Sequence, residues 1–191
     1  SKPYRLIPMF APGVSVPAGA SADVVNGARL PVRPYEQLPQ ERDCFALGAR
    51  FAHRFSGSTL RLDQRLYRDT WGLQASTTDA RYLVNVGSRL VVGPHARFHT
   101  QGRASFYQRV YQAEVGLTDV SLPLFRTTDR ELGALHSFTG GGAAWWALNE
   151  GHPRFTLYGS ADVLYTSFLD ALYVRSRVGI YATVGVEAEF E

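Results

Sequence analysis

Tyr173-Val174-Arg175-Ser176-Arg177-Val178-Gly179-Ile180-Tyr181-Ala182-Thr183-Val184-Gly185-Val186-Glu187-Ala188-Glu189-Phe190 is the stretch whose reading decides the fold. Val174, Ser176, Val178, Ile180, Ala182, Val184, Val186, Ala188 and Phe190 alternate with Tyr173, Arg175, Arg177, Gly179, Tyr181, Thr183, Gly185, Glu187 and Glu189. Successive side chains of a strand point to opposite faces, so one face of this run is apolar and the other ionic. An ordinary strand has about 5–6 residues, and this run is far longer.

Seven more segments show strand character, and they predict an all-β antiparallel architecture of about eight strands. They are residues 1–10, 42–55, 59–75, 80–91, 95–107, 130–148 and 154–168. The first is weakened by Pro3 and Pro8, which donate no ladder hydrogen bond. Short connections are expected at Ser56-Gly57-Ser58, at Ser76-Thr77-Thr78-Asp79, at Val92-Gly93-Pro94 and over 149–153. Long ones are expected at 11–40 and 109–128. The whole of 1–191 reads as one domain. Phe45, Leu47, Ala49, Phe51, His53 and Phe55 oppose Arg50 and Arg54, and Leu60, Leu62, Gln64 and Leu66 oppose Arg61, Asp63, Arg65 and Tyr67. Phe98, Thr100, Gly102, Ala104 and Phe106 oppose Arg97, His99, Gln101 and Arg103.

Alternation alone suits either a soluble sandwich or a transmembrane barrel. Long strands, alternating short and long connections, and aromatics such as Phe45, Phe55, Tyr82, Phe106 and Tyr165 near strand ends favour the barrel. Composition agrees. Hydrophobic content of 45% and charge of 19% exclude a disordered chain. No stretch reaches the roughly 20 apolar residues of a membrane helix, which does not bear on strands. A net charge of +3, spread along the chain, gives no nucleic-acid patch. Lys2 is the only lysine, and Cys44 is the only cysteine, so no intrachain disulfide can form.

Two resemblances sharpen this. Thr183 to Phe190 resembles the C-terminal assembly signal of bacterial outer-membrane barrels, with Gly185 and Phe190 as its key positions. It departs from that signal at Ala188, where an aromatic is usual, and in carrying Glu191 after the Phe. Tyr67-Arg68-Asp69-Thr70-Trp71-Gly72 followed by Pro94-His95-Ala96-Arg97-Phe98-His99-Thr100-Gln101 and Phe106-Tyr107 resembles the family called domain of unknown function 3570. Its motif positions here are Tyr67, Asp69, Trp71, Gly72, Arg97, Gln101, Phe106 and Tyr107. Phe98 and His99 stand where that family has paired tyrosines. The resemblance implies an outer-membrane barrel larger than this chain, with further strands expected upstream. The implied partners are outer-membrane lipid, the barrel-assembly machinery and other envelope proteins. The C-terminus would then be periplasmic and the long loops extracellular.

The inward face is expected to carry Arg50, Arg54, Arg61, Asp63, Arg65, Arg97, Arg103, Arg175, Arg177, Glu187 and Glu189. Such a face reads either as an anion-attracting lining or as a network of paired charges. Catalysis finds little support. His99 and Ser105 share a face but stand about 20 Å apart along a strand, and adjacent His136 and Ser137 point to opposite faces. His95, His99 and His152 have no metal-ligand spacing, and Gly140-Gly141-Gly142 lacks the Lys-Ser/Thr of a phosphate loop. The expected function is therefore a non-enzymatic scaffold or conduit without metal or cofactor. An anion-preferring pore and an outer-membrane hydrolase are the alternatives.

Overall fold

A computed structural model describes residues 5–115, 120–149, 151 and 153–190. Its frame is one antiparallel sheet of seven strands. They are β1 (Cys44–Arg54), β2 (Ser58–Asp69), β3 (Gln74–Val86), β4 (Leu90–Gln101), β5 (Leu135–Ala147), β6 (Arg154–Phe168) and β7 (Ser176–Glu189). Every spatial neighbour is a sequence neighbour, so the sheet is a plain meander. β1 and β7 are its open edges, and no closed barrel forms among the described residues.

The register carries one apolar row after another across the sheet. Leu47 lies opposite Leu66, and Phe51 opposite Leu62. Phe98 lies opposite Phe138, Phe138 opposite Tyr165, and Tyr165 opposite Val178. Because side chains alternate with period two, the rows between are the ionic ones. Arg50 faces Asp63, Asp63 faces Asp79, and Asp79 faces Arg97.

Seven strands replace the expected eight. Residues 5–10 do not join the sheet. Ile7, Met9 and Phe10 are all fully buried, without alternation; Met9–Phe10 pairs in parallel with Tyr111–Gln112, and Leu6 and Phe10 make isolated bridges to Tyr35 and Arg29. Two turns also move. Ser76 to Asp79 lies inside β3, its polar side chains each answered by a neighbour: Gln64 donates to Ser76 and accepts from Thr78, and Thr77 bonds His99. The turn falls instead at Thr70-Trp71-Gly72, where Gly72 takes φ +83°. Val92-Gly93-Pro94 lies inside β4, and the turn falls at Gly87, with φ +68°. Gly93 serves packing there, since a Cβ would come within 2.7 Å of Leu83. Pro94 has no N–H, and the β3–β4 ladder lapses beside it, between Arg81–His95 and Val84–Val92. A short 3₁₀ helix, Arg130–Leu132, precedes β5.

The hydrophobic core does not lie on the sheet. Apart from Ala147, the buried apolar side chains among the described residues sit in the loops or at the loop-side strand ends. Segments 5–43, 102–115, 120–134 and 169–175 come together there as a cap. Phe10, Val16, Val25 and Leu172 form one cluster, and Ile7, Met9, Tyr111 and Ala113 another. Within the first segment lies α1 (Ala22–Ala28), started by Ser21, whose hydroxyl accepts from the Val24 N–H at 3.3 Å. The opposite end of the sheet carries the tight turns after β1, β3 and β5.

Candidate functional site

Two regions of the structure gather the sequence-predicted residues. The first is the polar face. Asp63 accepts from Arg50 at 2.5 Å and from Arg61 at 2.7 Å. Asp79 accepts from Arg81 at 3.1 Å, and His95 Nε2 lies 2.9 Å from its other oxygen. His95 Nδ1 lies 3.2 Å from Asp162, which belongs to β6 and reaches over β5. That reach explains the glycine run. A Cβ on Gly141 would collide with the Ala161 carbonyl and the Asp162 carboxylate. The Asp79–His95–Asp162 chain thus spans β3 to β6 because β5 carries no side chain at that point.

Arg177 of β7 binds Glu131 of the cap at 3.1 Å. Gln101 donates to the carbonyls of Glu131 and Gly133, so it holds the 3₁₀ helix over the polar face. Glu187 and Glu189 lie on the polar side of β7, opposite Thr156 and Arg154. Arg54 is the last residue of β1. Arg103 and Arg175 lie beyond strand ends, in the loop end of the molecule. Arg65 and Arg97 project from the polar face without a carboxylate partner among the described residues.

The second region is a corner at the loop end, built by the motif. The Asp69 side chain is completely buried and accepts from Arg42 Nε at 2.9 Å, Arg42 Nη2 at 2.6 Å, Tyr67 at 3.0 Å and the Leu73 N–H at 2.9 Å. Its last bond closes the β2–β3 turn. Arg42 stacks 4.5 Å above Trp71, whose indole donates to the Glu41 carbonyl, and Phe106 meets Trp71 edge-on at 5.4 Å. Gly72 leaves space for Ser105, whose N–H bonds the Trp71 carbonyl. Five motif positions therefore share one structural task, seating segments 41–43 and 104–106 on the turn. Tyr107 acts elsewhere. It is buried, donates to the Asp170 carbonyl, and its hydroxyl is pushed up to about 12 by burial and by the negative Asp170. Burial raises Tyr111 as well.

Sequence reading missed α1, Arg42 and the cap core. Ser21-Ala22-Asp23, a capping hydroxyl followed by an acid in the first turn, was the available signal for the helix. Among the described residues His99 bonds Thr77, His136 bonds Thr100, and no serine hydroxyl is bonded to a histidine ring. The same residues contain no group of three potential metal ligands.

An all-β antiparallel meander with one apolar and one ionic face is the class that fold and site define. The chain belongs to the DUF3570 family, described as a protein of unknown function, whose model matches residues 21–158. That match takes in α1, the motif corner and strands β1 to β5, and ends within β6, short of Asp162. No curated protein and no solved structure matches the chain.

Proposed function

We propose that the chain forms part of an integral outer-membrane β-barrel, its apolar face against lipid and its polar face inward, serving as a non-enzymatic scaffold or conduit. The observation that carries this reading is an apolar sheet face on which, among the described residues, nothing packs. Phe45 is 69% exposed, Ile180 76% and Val184 79%, and Leu47, Phe138, Trp146 and Val186 are also more than half exposed. Leaving each such side chain in water forgoes about 1.5–3 kcal/mol of burial. Against hydrocarbon that deficit disappears.

Three further features support it. The strands run from 11 to 15 residues, at or above the roughly 9–11 that cross a bilayer. Midway along the apolar face Gln64 bonds Ser76 and Thr78, and nearer the loop end His136 bonds Thr100, so these polar groups are satisfied from within the sheet, as a medium without water requires. Trp146 lies toward the turn end and Tyr165 toward the loop end, where amphipathic rings favour the interface, with Phe55 and Phe98 beside them in the same two bands. Edge strands β1 and β7 run in the same direction, because seven is odd. Antiparallel closure would therefore require an odd number of additional strands between them.

Fractionation of cells making the full protein tests this. It is expected in the outer membrane, resistant to alkaline carbonate and released only by detergent. Recovery in a soluble fraction overturns the membrane reading. A second reading, the anion-preferring pore, draws support from Arg65 and Arg97. Arg50, Arg61, Asp63, Asp79, Arg81 and Arg177 are paired, which favours the scaffold, and planar-bilayer conductance with reversal potentials separates the two.

A further inference from the structure

Beyond that reading, we infer that the polar face beneath the cap holds a binding site for a small doubly charged oxyanion, gripped by Arg65 and Arg97. A cavity of about 320 Å³ lies between the sheet and the 3₁₀ helix, lined by both arginines together with Arg42, Thr77, His99 and Glu131. This is within the size range of small-molecule pockets, about 300–1,000 Å³.

Its charges do not cancel. Arg42 is neutralised by the buried Asp69, and Glu131 by Arg177. What remains is the pair Arg65 and Arg97, neither with a carboxylate partner among the described residues. The contrast with the adjoining part of the same face is sharp. There Asp63 is held between two arginines, and Asp79 between Arg81 and His95. Arg65 lies directly opposite Thr77 on β3, and Arg97 opposite Asp79, two residues along from Thr77. The two arginines thus stand on the strands either side of β3, one opposite Thr77 and one diagonal to it, and both line the cavity. Thr77 Oγ1 lies 2.8 Å from His99 Nδ1, which fixes that ring at the back of the cavity.

The chemistry selects the ligand. Two planar guanidiniums offer paired N–H donors that match the oxygen spacing of a phosphate or carboxylate, and two positive charges match a dianion. The nearby carboxylates, Glu131 and Asp79, are occupied by their own cations, so they do not repel such a guest. A neutral solute would leave both guanidiniums unanswered. The site lies on the water-facing side of the sheet, so it stands or falls separately from the proposal that the other face meets lipid.

The test is calorimetric titration of the purified full protein in detergent with inorganic phosphate, against a constant chloride background. Saturable binding at one phosphate per chain is expected, weakened at least tenfold by Arg65→Gln and by Arg97→Gln. Arg154→Gln, at the turn end of β6, should leave it unchanged. As a readout that needs no variant, phosphate should protect Arg65 and Arg97, but not Arg154, from phenylglyoxal modification followed by mass spectrometry. No saturation, equal weakening by all three substitutions, or no selective protection would overturn the assignment.

Discussion

At the scale of single residues, glycine and aspartate do the most consequential work. Gly141 has no room for even a methyl group, because the Ala161 carbonyl and Asp162 occupy its Cβ direction. Gly141→Ala should push β6 away and break the Asp162–His95 contact, at about 1–3 kcal/mol for overpacking. Equilibrium unfolding in urea would measure the loss, and a wild-type midpoint would contradict the steric reading. Asp69→Ala removes one acceptor but strands Arg42, Tyr67 and the Leu73 N–H together. An unsatisfied buried polar group costs about 1–3 kcal/mol, so this change should rank among the most damaging outside the core. Asp69→Asn should be intermediate, since it keeps an acceptor for Leu73 but loses the ion pair. The Asp-x-Trp-Gly motif was legible in sequence, and its turn was not. Turn signals at Ser76-Thr77-Thr78-Asp79 and Gly93-Pro94 were stronger by composition than Thr70-Trp71-Gly72. Cross-strand hydrogen bonds and the bulk of Leu83, both invisible in one dimension, reversed that order.

At the scale of elements, facing was readable and boundaries were not. Period two survives a misplaced turn, because a strand that starts a few residues early still points each side chain the same way. The apolar and ionic rows therefore appeared correctly in β1, β2, β7 and in β4 up to Gln101, although the ends of β2, β3, β4 and β5 moved and 102–107, expected to continue β4, belongs to the cap. The two faces of β7 give a direct comparison. With the apolar face in lipid, Val178→Arg or Ile180→Arg should cost about 2–4 kcal/mol in folding into vesicles, and Tyr181→Arg on the polar face should cost far less. Equal tolerance on both faces would contradict the proposed orientation. The cap answers to a different variable. Tyr107 ionises at about 12 in the fold and at about 10 when unfolded. Its neutral form stabilises the cap fully below pH 10, and that contribution is lost as pH rises toward 12. Hydrogen exchange should show amides of 104–113 opening in this window while β2 and β3 stay protected.

At the scale of the whole molecule, orientation and closure become testable together. With the loop end outward, a tag at Gly13, which has open space around it, should be accessible on intact cells. Gly19 would be a poor choice, because Arg175 lies against it and its N–H bonds the Ala171 carbonyl. Tags at Gly57 or Gly151, in turns at the other end, should require permeabilised cells, and the reverse pattern would invert the proposed topology. A scan of cysteine pairs along β1 and β7 in a Cys44→Ser background should yield no intrachain disulfide, since direct contact would demand a parallel pair. The cap has a further consequence, for the order of assembly. Its core is stitched from segments up to about 160 residues apart in sequence, as Phe10 and Leu172 show. Contacts over such separations bring no return until the intervening chain has been closed into place. The meander, made of adjacent hairpins, can grow locally, but the cap has no nucleus of its own. It can set only after β6 has delivered Leu172, so a protease-resistant cap would serve as the timestamp of a sheet complete through β6.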